Sequence, residues 1–203
     1  MIRLARCATI PADVMKKLDA YPLNKRPILW KGKSKPVKQF RDEILAQGIA
    51  IQANACAWCR LPLGREGRRT IHRDHIAPKA LHPVWTFLPI NVVLACEYCN
   101  GFENKSDTPT IAILDADYEK CKFLLVHPYL DRVKCHIAFD NDKNELPVLI
   151  KGLSEKGRWT INKLKLDTTG ITEERAKEVI FKRWKESLSA EDEVLVTSAV
   201  QAI

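Results

Sequence analysis

The apolar positions of this chain fall into short runs, and their spacing shifts from helical to strand-like and back. Val37, Phe40, Ile44 and Leu45 recur at the three- and four-residue steps that align side chains on one helical face. Pro36 suits the first turn of that helix, where its missing N–H costs nothing, and Gly48 lies near the predicted end. Residues 1–35 otherwise read as a loop-rich arm. A short segment Thr70–His75 follows a Gly/Arg turn, and Val92–Leu94 is a fully apolar run of strand type. Between them Pro78, Pro83 and Pro89 punctuate a loop.

Farther along, a helix is predicted near Ile111–Cys121, with strand-like runs at Phe123–Val126 and His136–Phe139. A longer amphipathic helix is predicted from about Thr172 to about Leu188. Thr172-x-x-Arg175 is not a capping box, but Glu173 and Glu174 place negative charge at the helix start. The mixture predicts an α+β protein in three segments: 1–50, 51–108 and 109–203. No internal repeat or low-complexity tract interrupts them.

Composition narrows the class. Of 203 residues, 46% are hydrophobic and 29% charged, which is globular rather than disordered. No apolar run is long enough to cross a bilayer, and Arg3 and Arg6 interrupt the first ten residues, so the expectation is a cytoplasmic protein. The net charge of +8 is unevenly spread. Every charged residue from Lys25 to Arg41 is basic, Lys31, Lys33 and Lys35 among them, and Arg60, Arg65, Arg68, Arg69 and Arg73 are opposed only by Glu66. A basic run is usually a solvated face; beside a stronger signal it suits a polyanion such as DNA.

That signal is cysteine spacing. The seven cysteines include two knuckles, Cys56-x-x-Cys59 and Cys96-x-x-Cys99, which supply the soft ligands of a closed tetrahedral Zn²⁺ site. The second knuckle is expected to open a helix. Cys7, Cys121 and Cys135 read as small buried hydrophobes. Between the knuckles stands Arg73-Asp74-His75-Ile76-Ala77-Pro78, with Asn91 before the second knuckle and Asn100 directly after it. Asp74 is a hard oxygen ligand of the kind Mg²⁺ takes, and His75 can accept a proton near neutral pH. Phosphodiester hydrolysis needs such a base to activate water and a cation for the charge that develops. Adjacent strand residues point to opposite faces, so Asp74 and His75 can share one ion only if the strand ends or distorts there. His72 is read as a surface residue or a DNA contact, His82 as structural, and His127 and His136 lie outside the motif.

The order Cys-x-x-Cys, Asp-His-Ile-x-Pro, Asn-Val-Val-Leu-Ala-Cys-x-x-Cys-Asn and then Lys105 resembles the HNH endonucleases of the ββα-metal (His-Me finger) fold over about residues 56–108. The resemblance implies His75 as general base and Asn91 as the residue that shapes the loop around it. It also implies Asp74 and Asn100 as ligands of a catalytic Mg²⁺ or Mn²⁺, and Cys56, Cys59, Cys96 and Cys99 as a structural Zn²⁺ cage. Lys31, Lys33, Lys35, Arg68, Arg69, Arg73 and Lys105 are then the candidate DNA contacts. Two departures are visible: Asn100 stands where the family often has His, and Lys105 is farther from the Cys-Asn pair than usual.

The stretches Leu125–Asp131, His136–Phe139 and Gly157–Leu166 resemble the HNH nucleases of Septu and retron anti-phage systems, which implies an ABC/SMC-like ATPase partner. With the motif complete by Lys105, residues 109–203 are expected to dock that partner, through aromatics such as Tyr129, Phe139, Trp159, Phe181 and Trp184. Phe181 and Trp184 are three apart and share a helical face. The rival reading is a non-catalytic zinc-knuckle nucleic-acid-binding module, which accounts for the cysteines and arginines but not for Asp-His and Asn at these places.

Overall fold

A computed structural model of the chain describes residues 3–64, 69–101, 104–140 and 148–201. The architecture is mixed α+β. Helices α1 (Ala12–Asp19), α2 (Arg26–Leu29) and α3 (Lys35–Ile51) precede an antiparallel hairpin of β1 (Ile71–His75) and β2 (Val92–Cys96). Two further antiparallel pairs follow, β3 (Ile111–Ile113) with β4 (Lys122–Phe123), and β5 (Ile137–Asp140) with β6 (Leu149–Gly152). The short α4 (Val133–His136) leads into β5, and α5 (Glu155–Lys163), α6 (Thr169–Glu186) and α7 (Ala190–Gln201) complete the order. No described helix is long and apolar enough to cross a membrane.

The helix predicted around Val37 is α3, and its inward face is Val37, Phe40, Ile44 and Gly48. Gly48 lies inside that helix, which runs on to Ile51. A Cβ there would meet Leu94 Cδ1 at 2.9 Å, so the glycine lets α3 lie close against β2. Gln52 then ties the helix end to the strand: its amide donates to the Ala55 and Leu94 carbonyls, and its Oε1 accepts from Leu94 N–H, each at 2.8 Å. All five residues of β2 are buried, as its uninterrupted apolar run predicts.

Two helix assignments change. Residues 97–101 and 104–107 are turn rather than the helix expected after the second knuckle, so a ββα arrangement is not completed there among the described residues. Ile111–Cys121 is likewise not a helix. Thr110 and Ile111 bond across to the segment after Cys121, forming β3 against β4, and Asp117 caps only a single 3-10 turn. The strand-like run from Phe123 narrows to β4, and the predicted helix from Thr172 begins at Thr169. Of the lone cysteines, Cys121 is buried, Cys7 is half-buried and Cys135 is exposed.

Residues beyond 109 share the core of the hairpin instead of forming a separate layer. Tyr118, Phe123, Leu125, Val133, Ile161, Leu164, Leu166 and Ile171 belong to the same buried cluster as Leu4, Phe40, Trp58 and β2. Tyr129 Oη donates to Val92 O at 3.0 Å, and Arg175 reaches the Leu166 and Cys59 carbonyls. Phe181 and Trp184 do stay outside: they touch each other at 5.7 Å between centroids and remain exposed, with Ile180 beside them.

Candidate functional site

The two knuckles are built alike. Arg60 N–H returns to Cys56 O, and Asn100 N–H returns to Cys96 O, both at 3.0 Å, so each turn folds its two sulfurs to one side. Arg60 takes the left-handed conformation (φ 68°) that closes the first turn. The four Sγ atoms, all buried, lie within 4.8 Å of one another, with Cys59 and Cys96 at 3.8 Å. A tetrahedron with Zn–S bonds of about 2.3 Å has edges of about 3.8 Å, so the cluster fits zinc. Burial raises the Cys56 thiol, but hydrogen bonds from Cys59, Cys96 and Cys99 outweigh it and hold Cys56 well below the ordinary range. The same contacts push Cys59 and Cys99 well above it. A metal ion takes such ligands as thiolates, so its binding releases their protons.

At the far end of the hairpin the ladder stays regular through His75, which pairs with Val92, and the strand stops there. Asp74 and His75 therefore point to opposite faces. Asp74, 2% exposed, accepts from Trp58 Nε1 at its Oδ2 and from Lys105 Nζ at its Oδ1, each at 2.8 Å. Lys105 also donates to the His75 carbonyl. Burial raises the Asp74 carboxyl, against the opposing pull of Lys105 and Trp58.

His75 is packed edge-on to Trp30, with centroids 4.4 Å apart, and its Nε2 lies 2.9 Å from Thr86 O. A carbonyl only accepts, so Nε2 carries the proton and Nδ1 keeps the lone pair. Burial, helped by the charges of Lys79 and Lys105, pushes His75 down to about 3.

Asn91 is fully buried. Its Oδ1 accepts from Ala77 N–H (2.7 Å) and Tyr118 Oη (2.9 Å), and its Nδ2 donates to the Ala77 and Trp85 carbonyls, both at 3.0 Å. It thus spans the neck of the proline loop that carries Thr86. Asn100 is half-buried, with its Nδ2 3.2 Å from His72 Nδ1.

A cleft of about 450 Å³ gathers Lys31, His72, Arg73, Asp74, His75, Lys79, Asn100 and Asp107. Of the candidate DNA contacts, Lys31, Lys33 and Lys35 are exposed, and Lys31 lines this cleft. Arg73 lines it too, while its Nε holds Arg41 O at 2.7 Å. Arg69 is paired with Glu174. Arg68 lies outside the described residues. Lys105 requires correction: it is 1% exposed and turned onto Asp74, so it cannot meet a phosphate.

The divalent ion expected on Asp74 and Asn100 does not fit the site as arranged. An ammonium already sits on Oδ1, an indole N–H occupies Oδ2, and Mg²⁺ keeps several waters for which a 2%-exposed side chain leaves no room. Among the described residues, the four cysteines form the one group of three or more His, Cys, Asp or Glu side chains placed to hold a metal ion. Trp58, Lys79, Thr86 and Tyr118 were not singled out from the sequence. Only Trp58 carried a signal, its place inside the first knuckle.

A scan against protein-family models gives no match to this chain. A search of curated proteins gives none either.

Proposed function

We propose that the chain is an endonuclease of HNH type that hydrolyses phosphodiester bonds in DNA, with zinc bracing one end of its hairpin. The observation that carries the reading is His75: a neutral imidazole at the strand end, its tautomer fixed by Thr86 O and its Nδ1 lone pair retained, lining a cleft with Lys31, Arg73 and Lys79. Those cations suit a phosphate, and His75 is the group able to take a proton from the attacking water. In the empty cleft its low basicity makes it a poor acceptor. An anionic phosphate beside it offsets the burial and lysine charges that depress it, raising it toward the working range. Docking of an ATPase through α6, with an anti-phage role, belongs to the same proposal and is supported only by the exposed Phe181 and Trp184.

The second reading, a zinc-knuckle module that binds DNA without cutting it, is favoured by the Lys105–Asp74 pair, which occupies the carboxylate of the Asp-His motif. Incubation with plasmid and linear DNA, with and without Mg²⁺ or Mn²⁺, separates the two. Wild type should cut, and His75→Ala should lose about 10²–10⁴-fold in rate while still binding DNA. Binding without cleavage under every condition favours the module; cleavage by His75→Ala at the wild-type rate removes His75 as the base.

A further inference from the structure

Behind Asn91 lies a second layer from the C-terminal segment. Tyr118 Oη bonds Asn91 Oδ1 and also lies 2.9 Å from His127 Nε2. His127 is fully buried, and its Nδ1 receives the backbone N–H groups of Tyr129 and Leu130, both at 3.2 Å. Two N–H donors on Nδ1 make it the acceptor nitrogen, so the proton of neutral His127 is on Nε2 and is donated to Tyr118 Oη. The tyrosine hydrogen is then directed to Asn91 Oδ1. The Asn91 amide is itself oriented, because Ala77 N–H can bond only its oxygen, which turns Nδ2 toward Ala77 O and Trp85 O. The carbonyl after Trp85 O is Thr86 O, the acceptor for His75 Nε2. Every direction in this relay is dictated by a backbone group at one end or the other.

We propose that Tyr118 and His127 are positioning residues that hold Asn91, and through it the Trp85–Thr86 carbonyls, so that His75 stays in the tautomer with a bare Nδ1. Burial acts in the same direction, since His127 is pushed down to about 3 and remains a neutral one-proton donor at working pH. The consequence for cleavage rests on the nuclease reading above; the consequence for the His75 tautomer does not.

The test is Tyr118→Phe in the full zinc-loaded chain, read by ¹⁵N NMR of the histidine side chains, with His75 assigned by its loss in His75→Gln. Wild type should show Nε2 protonated and Nδ1 bare. Tyr118→Phe should shift His75 toward a mixture of tautomers and lower kcat by roughly tenfold and up to about 10²-fold, with KM unchanged. His127→Gln, which can present an amide N–H where Nε2–H stood, should keep the wild-type signal, and His127→Leu should not. This pair carries the test if Tyr118→Phe fails to retain zinc and fold. A chain that cuts no DNA yet shows the tautomer shift upholds the positioning role and rejects the nuclease reading. Folded Tyr118→Phe or His127→Leu with an unchanged His75 signal overturns the proposal.

Discussion

At one end of the β1–β2 hairpin Ile71 faces Cys96 beside the cysteine cluster; at the other, His75 faces Val92 beside the Thr86 carbonyl. The first end is assembled from two local turns, each with two residues between its ligands. The second is assembled by groups far apart in the chain: Asn91, Lys105, Tyr118 and, behind them, His127. A metal cage concentrates its stabilisation in a few strong bonds, whereas a hydrogen-bonded site spreads it over many contacts of about 1 kcal/mol each. The cysteine end should therefore fail as a unit, and the His75 end by degrees.

The largest effect should come from the cage. Structural zinc sites carry about 10–16 kcal/mol of apparent binding free energy in small domains, which is more than the net stability of most folds. Purified protein should contain one zinc per cluster, and Cys96→Ser should abolish cooperative melting. Cys96 also anchors the β2 end of the ladder, so the loss should spread to the strand pair. Metal analysis and calorimetry of the variant check this; an unchanged melting temperature without zinc would remove the brace from the account.

Next comes Lys105→Met, which keeps the aliphatic stem but unpairs the buried Asp74 carboxylate. Removing one partner of a buried pair typically costs about 3–5 kcal/mol. Urea midpoints of the variant beside wild type check this, and an unchanged midpoint would mean that the buried pair adds nothing to the fold.

A smaller effect separates the two ends by pH. His75 and His127 are both held near 3 by burial, below their ordinary 6.5. Their folded-state values are depressed, so the unfolded chain takes up protons first as pH falls. The stability they confer is complete above about 6.5 and declines toward 3. At pH 5.5 each should account for about 1.4 kcal/mol, one pH unit below the unfolded value. Urea midpoints at pH 7.5 and 5.5, with zinc content verified at both, should show the fall, and His127→Gln should remove about half of it. An equal fall in that variant would remove His127 from the acid sensitivity.

The same contrast explains what was legible in the sequence. Cys56, Cys59, Cys96 and Cys99 announce themselves because the ligand geometry needs only local spacing, and the brought-together sulfurs bear that out. The face of α3 and the buried run of β2 were legible for the same reason, since periodicity is local. The helix expected at Ile111–Cys121 failed because cross-strand pairing of Ile111 with Phe123 overrode a weak local preference. Lys105 looked like a surface base because nothing in its neighbourhood reveals a buried carboxylate 31 residues upstream. Tyr118 carries no signal in the sequence and His127 lies outside the motif for the same reason: Tyr118 bonds Asn91, 27 residues upstream, and His127 meets it only through Tyr118.

The smallest expected change concerns DNA binding, and it distinguishes free cations from those already in use. Lys31, Lys33 and Lys35 are exposed, and Lys31 lines the cleft beside His75, whereas Arg69 is paired with Glu174 and the Arg73 guanidinium braces α3 through Arg41 O. Only a cation that exchanges water for phosphate releases counterion, at about 0.9 in the slope of log K against log salt per phosphate neutralised on duplex DNA. Neutralising the three lysines to Gln should therefore lower the slope by about one to three units and weaken all sequences alike, because none of them reads a base. Arg69→Gln should instead leave the slope nearly unchanged and loosen the contact between the segment before β1 and α6, lowering the melting temperature slightly. Fluorescence anisotropy over a salt series, run beside a thermal melt, gives both quantities for each variant. A slope that falls with Arg69→Gln and holds with the lysine variant would move the DNA path from the cleft to the knuckle face, away from His75.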